Sequence, residues 1–326
     1  MLLTVECRPG STTSDTVVFT TPLRFSATTC QNTLTPLDFG RQRYEWEQYL
    51  NTIQSTVVQV DTDITGQHWE VNDLSALGRM VAVVSLGQAQ HAARIIEELE
   101  PAAPAFSDID LIEDAKRQML VRGDTEDARL ASRFHRDGFL FECISWIVAR
   151  QSADDRTFLK DPHIDATSHG LDGLVIELHP IHPVLMRATI CEDKCTGNPR
   201  RKFRREVMKT FDEHHQNKRA RDLVANVVAL IRESGLNGTH ATKAAARVLK
   251  KDVRSYRAAL TTKVLSAKAR TKLFKGFNEL DGITQAQRIG ATFTVDGDLR
   301  AWFQDLADST LAALEDFLIE LDADDV

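Results

Sequence analysis

HGLDGLVIELHPIHPVLMRATICEDK, residues 169–194, decides the fold. Two aliphatic and β-branched runs, 174–178 and 184–190, flank a break that carries His179, Pro180, His182 and Pro183. Runs of this length on either side of a Pro-containing break predict two strands joined by a turn. In an antiparallel hairpin centred on His182, Asp172 and Glu192 face each other across the strands. Directly opposed Cβ atoms lie roughly 4.5–5.5 Å apart, close enough for like charges to repel. Lys194 is two residues beyond Glu192, so it projects from the same strand face. Two carboxylates and an ammonium therefore converge at one end of an apolar hairpin, an arrangement that suits a divalent cation.

Outward from the hairpin, the apolar run FHRDGFLFECISWIVARQ (134–151) predicts a helix. Glu142 interrupts its apolar stripe, stacked between Phe139 and Trp146 at helical spacing. A carboxylate there needs a partner, because an unpaired buried charge is costly. Two readings stand: a salt bridge to a nearby Arg, or a carboxylate aimed at Asp172 and Glu192. Between this helix and the hairpin, 156–170 accommodates one more short strand and a polar loop. Downstream, TGNP breaks the chain and RRKFRREVMKTFDEHHQ opens a basic helix that KRARDLVANVVALIRESG continues or follows, ending at Gly235. GTHATKAAARVLKKDVRSYRAALTTK reads as helical, basic and Ala-rich. RIGATFTVDG (288–297) alternates like a strand, and LRAWFQDLADSTLAALEDFLIEL is a closing amphipathic helix with an acidic tail. On the N-terminal side, 1–70 reads as short strands and loops with one helical patch near 44–53. Residues 73–99 read as a helix with Asp73 as N-cap. PAAPAFSD (101–108) is the best break, so an N-terminal region 1–105, placed for partner binding or for packing on the core, is set against a domain 106–326.

The totals exclude several classes. The 326 residues, 42% hydrophobic, support a full core, and no run of 18 apolar residues is present to cross a bilayer. The opening MLLTVECRPG lacks a basic n-region and a long apolar stretch, so no secretory signal is expected. Five irregularly spaced cysteines suit a reduced, cytoplasmic protein better than a disulfide scaffold. Cys191 and Cys195 form C-x3-C without a matching second pair, so zinc is not expected. Net charge is −7, yet Pro199–Lys275 holds 21 Lys/Arg against 6 Asp/Glu. This basic helical region, 199–275, suggests a polyanion-binding face, with a merely solvated surface as the plainer reading. His163, His169, His179 and His182 surround the hairpin, where solvated loop histidines are commoner than catalytic ones. No phosphate-binding G-x-x-x-x-G-K-[ST] loop occurs, so an ATP-driven step belongs to another protein.

The order is a helix with Glu142, a strand after Asp172, a strand with Glu192-Asp193-Lys194, then basic helices. It resembles the PD-(D/E)XK nuclease superfamily over residues 134–233. The resemblance implies an α/β (α+β) fold: a mixed sheet with an antiparallel hairpin flanked by helices, a restriction-endonuclease-like core. It leaves the first hundred or so residues aside, where a smaller N-terminal α/β region is expected. Leu171 stands where that superfamily usually has Pro. The resemblance implies a metal-dependent DNA endonuclease with Asp172, Glu192 and Lys194 catalytic. Its implied metal ligands are Glu142, Asp172 and Glu192, holding Mg²⁺ or Mn²⁺. Carboxylate oxygens suit such ions, and the metal would polarise the phosphoryl oxygen and activate water. Lys194 would position water and offset transition-state charge. Asp193 is expected to point to the other strand face. Arg200, Arg201, Lys202, Arg204 and Arg205 are placed to hold DNA phosphates. The layout is also similar to the nuclease subunit of Hachiman-type antiphage defence systems, which implies a helicase partner. The alternative is a non-catalytic DNA-binding or assembly subunit with a degenerate nuclease fold.

Overall fold

The computed structural model describes residues 52–99, 108–163, 170–182, 184–236 and 238–324, all within one compact unit, Leu37–Val326. In chain order, strands β1 (Ile53–Val58) and β2 (Thr65–Val71) lead into helices α1 (Leu74–Leu99), α2 (Asp108–Met119) and α3 (Glu126–Gln151). Three strands follow: β3 (Thr157–Leu159), β4 (Gly173–Leu178) and β5 (Leu185–Lys194). A helical stretch comes next: α4 (Pro199–Lys202), a π turn (Phe203–Val207), α5 (Met208–His215), α6 (Ala220–Glu233) and α7 (Gly238–Ala246). The chain ends with β6 (Arg254–Thr262), α8 (Ala267–Leu273), β7 (Arg288–Thr294) and α9 (Leu299–Asp324).

The strands form one mixed sheet in the order β1-β2-β7-β6-β5-β4-β3. Neighbours from β2 through β7 and β6 to β5 run parallel, and the outer pairs on each side run antiparallel. Helices cover both faces. On one face α3 packs Phe141, Ile144 and Val148 against Trp69, Ala259, Ala291 and Phe293, with Phe303 of α9 beside them. On the other, Phe203, Phe211, Leu223 and Val227 cover Leu174, Ile176, Ile190, Tyr256, Ala258 and Leu260. A mixed sheet flanked by helices is the fold class read from the sequence.

The hairpin pairs as expected. Gly173 lies opposite Cys191, Val175 opposite Thr189 and Glu177 opposite Arg187, so the next step outward sets Asp172 across from Glu192. The register is fixed by burial: Leu174, Ile176 and Leu178 are buried, and their alternating neighbours are only half-buried. A one-residue slip would expose all three, each contributing about 1.5–3 kcal/mol of hydrophobic stabilisation. Only at Leu178 does the pairing shift, to Leu185, where the chain bulges into the turn.

Two expectations are corrected. The stretch RSYRAALTT, read as helix, is β6, and all nine of its residues are buried. A central parallel strand covered on both faces shows no polar alternation, so its Ala content and the preceding basic helix mask it. From residue 52 the N-terminal region packs on the core, one of the two placements expected for it. Strand β2 pairs with β7 across more than 200 residues of chain, and Trp69 and Leu77 share a core with α3 and α9. Residues 101–107, the expected linker, and the strands and helical patch expected before residue 52 lie outside the described residues. The basic region 199–275 is likewise not helical throughout, because β6 and its buried Arg254 and Arg257 fall inside it.

Candidate active site at the hairpin mouth

Strand β4 starts one residue after Asp172, and β5 ends on Lys194, so both sit at the open end of the hairpin. Leu171, buried against the sheet, anchors the approach to Asp172. The Lys194 ammonium lies 2.5 Å from Asp172 Oδ2 and 3.0 Å from Glu192 Oε2. Asp172 Oδ2 also accepts the Asp193 backbone N–H at 3.1 Å. The three expected catalytic side chains are therefore in direct contact. Beyond β5, the Thr261 hydroxyl accepts from the Thr196 N–H at 2.7 Å and lies 3.0 Å from the Thr196 carbonyl. This ties the turn after Lys194 to the end of β6 and sets the direction in which α4 leaves.

Among the described residues Glu142 meets an imidazole rather than an arginine: its Oε2 lies 2.9 Å from His163 Nδ1 and 3.4 Å from the His163 backbone N. One ligand atom each from Glu142, His163 and Asp172 fall within 4.8 Å of one another. Of the four histidines near the hairpin, His163 is the one in this cluster. His179 and His182 instead build the turn: His179 Nδ1 accepts N–H groups of Ile181 and His182, and the two rings stack 4.9 Å apart. His169 lies outside the described residues.

Asp172 stands between two groups of side chains on opposite faces of β5. Ile190, Glu192 and Lys194 alternate toward the helices that carry Phe203 and Phe211. Cys191 and Asp193 alternate toward α3, as expected for Asp193, and line a small cleft with Glu142, Ser145, Lys160, Asp172 and Arg257. The cleft holds about 10 Å³, on the order of one water molecule or one bare cation. Asp193, Lys160, Ser145 and Arg257 were not singled out as site residues in the sequence. Arg257 and Ser145 come from β6 and mid-α3, and no local motif marks them; the Arg257 guanidinium donates to the Ser145 hydroxyl.

Burial dominates the electrostatics. It pushes the Glu192 carboxyl up to about 8, helped by the Asp172 charge and opposed by Lys194. One ammonium neutralises one carboxylate, and the more deeply buried second carboxyl keeps its proton longer. Burial also pushes Asp193 up to about 7, with Arg257 opposing. For Lys194, burial disfavours the charge, yet Asp172 and Glu192 together hold its pKa well above the ordinary lysine value. Lys160 shifts downward because burial outweighs the carboxylates of Glu142, Asp161 and Asp172.

The five expected phosphate-binding side chains divide. Arg200 donates to the carbonyls of Leu273 at 2.9 Å and Lys275 at 2.7 Å, fastening α4 to the end of α8. Lys202 pairs with Glu206 at 2.7 Å. Arg201, Arg204 and Arg205 are exposed. Because Arg200 joins α4 to α8, the exposed Lys268, Lys272 and Lys275 extend the same basic surface. Arg254 is spent inside the fold, donating to the carbonyls of His214 and Leu249. Comparison with protein-family models, with curated proteins and with solved structures found no match.

Proposed function

We propose that this chain is a divalent-cation-dependent endodeoxyribonuclease of PD-(D/E)XK type, hydrolysing phosphodiester bonds at the hairpin mouth. The observation that carries this reading is the Lys194 ammonium held between Asp172 and Glu192, beside Glu142 and next to a basic surface. The element order supports it: α3, the antiparallel strands β3–β5, helices, then β6 parallel to β5.

Each group has a role that its position suits. Arg201, Arg204 and Arg205 draw the DNA backbone to the face beside β5, with a salt-sensitive and sequence-independent contribution. Lys194 offsets charge that develops on the phosphoryl oxygens, and its contacts with two carboxylates fix it in place before substrate arrives. Glu192, whose carboxyl titrates near pH 8, accepts or donates a proton around neutrality. Glu142 and Asp172 would hold the cation, for which Mg²⁺ or Mn²⁺ oxygen chemistry is suited, and which would supply polarisation of a phosphoryl oxygen.

A second reading has its own support. Lys194 neutralises one of its two carboxyl partners and burial favours the protonated form of Glu192, so the trio balances its charge without a metal ion, as it would in a DNA-binding or assembly subunit that cuts nothing. Incubating the chain with circular DNA in Mg²⁺ or Mn²⁺ separates the two. Cation-dependent nicking supports hydrolysis; salt-sensitive binding with intact DNA under both cations supports the second reading.

The cytoplasm is the proposed location. The described cysteines Cys143, Cys191 and Cys195 are free, which suits a reducing compartment. No helix among the described residues is long and apolar enough to cross a membrane. An antiphage role with a helicase partner extends the same reading, and co-purification with the product of an adjacent helicase gene tests it.

A further inference from the structure

We infer that the cation site lies on the α3 side of strand β5, formed by Glu142, His163, Asp172 and Asp193, and that Glu192 is not one of its ligands. The use of this cation in hydrolysis rests on the proposed function; its binding does not.

Four observations converge. Glu142, His163 and Asp172 offer ligand atoms within 4.8 Å of one another, from a helix, a loop and the start of a strand. Asp193 is more than nine-tenths buried, and among the described residues nothing donates a hydrogen bond to its Oδ1. It stands outside that group of three but lines the same cleft as Glu142 and Asp172, and the cleft has room for one bare ion. His163 Nε2 is also buried with no hydrogen-bond partner among the described residues. Glu192 is as deeply buried, but it stands outside that group of ligand atoms and does not line that cleft. It alternates to the opposite face of β5, and the Lys194 ammonium already stands between it and Asp172. A dication placed there would have to displace Lys194 against direct charge repulsion.

Around the cleft, three carboxyl groups (Glu142, Asp172, Asp193) face Lys160 and Arg257, so with all three ionised a dication takes the charge of this lining only from −1 to +1. The donor set also sets the metal class. Oxygen ligands alone suit Mg²⁺ and Ca²⁺, whereas an imidazole nitrogen shifts preference toward transition ions, and Mn²⁺ accepts both donor types. The site therefore favours Mn²⁺ over Mg²⁺, and His163 is the residue that confers the preference.

The test measures cation binding directly in the full-length chain, stripped with EDTA and held at pH 8. Free Mn²⁺ is followed by electron paramagnetic resonance, and Mg²⁺ is titrated as a competitor. Asp193→Asn and His163→Gln are expected to weaken Mn²⁺ binding at least about tenfold, and Glu192→Gln to leave it within about threefold. His163→Gln is also expected to narrow the Mn²⁺/Mg²⁺ preference, with His163→Ala as a second variant. Thermal unfolding of each variant shows that it is folded. The inference is overturned if Glu192→Gln abolishes binding while Asp193→Asn and His163→Gln retain it. It is equally overturned if the wild-type chain binds no Mn²⁺ at millimolar concentration. Binding that follows this pattern with no DNA cleavage would instead overturn the hydrolysis reading and leave the site standing. Cleavage with Glu192-dependent binding would do the reverse.

Discussion

Replacing Asp193 with Asn should change how stability depends on pH, by an amount the site geometry sets. The Asp193 carboxyl is buried beside Arg257, Asp172 and Glu142, and its pKa stands near 7 against an ordinary 3.8. Between those values the unfolded chain has released the proton and the folded chain still holds it. The folded state thus binds more protons, so raising the pH destabilises it across this window. A shift of about three units corresponds to about 4 kcal/mol. The contribution is fully present below pH 3.8 and lost as the pH rises through 7. Asparagine fills the same volume and does not titrate. The assay is urea unfolding of wild type and Asp193→Asn in EDTA, from pH 4 to pH 8. The difference curve, rather than either absolute value, isolates the group, because any pH-independent cost of the amide in that site shifts the variant equally at every pH. Asp193→Asn is expected to gain about 4 kcal/mol relative to wild type from the acid end to the alkaline end. With saturating Mn²⁺ that relative gain should shrink or reverse, since a bound cation stabilises the ionised carboxylate of the wild type. Parallel curves in EDTA would refute the claim that Asp193 is a desolvated, proton-retaining carboxyl.

Four further outcomes follow from the structure. Glu192→Gln should show a similar alkaline gain, in the window from 4.5 to about 8, measured by the same unfolding series. Arg201→Ala, Arg204→Ala or Arg205→Ala should each reduce the salt-dependence slope of DNA binding by about one, with stability unchanged, in fluorescence anisotropy titrations. Arg200→Ala should instead lower stability by about 1.5–3 kcal/mol, because its charge-assisted bonds hold α4 to α8. Asp137→Ala should cost about 3–5 kcal/mol in the same unfolding assay, since Asp137 is fully buried and its carboxylate receives both Arg136 and Arg300.

The hairpin was legible because its signals agree. Leu174, Ile176 and Leu178 alternate with less apolar neighbours, and Pro180 and Pro183 limit where the turn can fall, so the pairing of Asp172 with Glu192 follows from residue number alone. The β7 alternation and the α9 stripe were legible for the same reason. Strand β6 was not, because burial on both faces leaves no periodicity and Arg254 and Arg257 read as solvated charge. Both arginines are buried only because they find acceptors far along the chain, at His214 and Ser145. The membership of β1 and β2 in the sheet depends on a partner more than 200 residues away, and no local pattern encodes such a pairing. At the site, Glu142 announced itself as a carboxylate in an apolar stripe. Its partner His163 did not, because a loop histidine looks the same in sequence whether it meets water or a buried carboxylate. Among the basic residues, sequence counted five side chains alike. The structure shows that Arg200 and Lys202 are engaged, because the carbonyls at the end of α8 and the Glu206 carboxylate lie within reach.

The central claim is that Asp172 and Lys194 act together in phosphodiester hydrolysis. Single-turnover cleavage of supercoiled DNA in Mn²⁺, comparing wild type with Asp172→Ala and Lys194→Ala, tests it most directly. Wild type is expected to nick the DNA in a reaction that EDTA stops. Each variant is expected to be slower by about 10²–10³-fold, with DNA affinity retained and the fold intact. Variants that cleave as fast as wild type, or a wild type that binds DNA and cuts it with neither Mn²⁺ nor Mg²⁺, would contradict the claim.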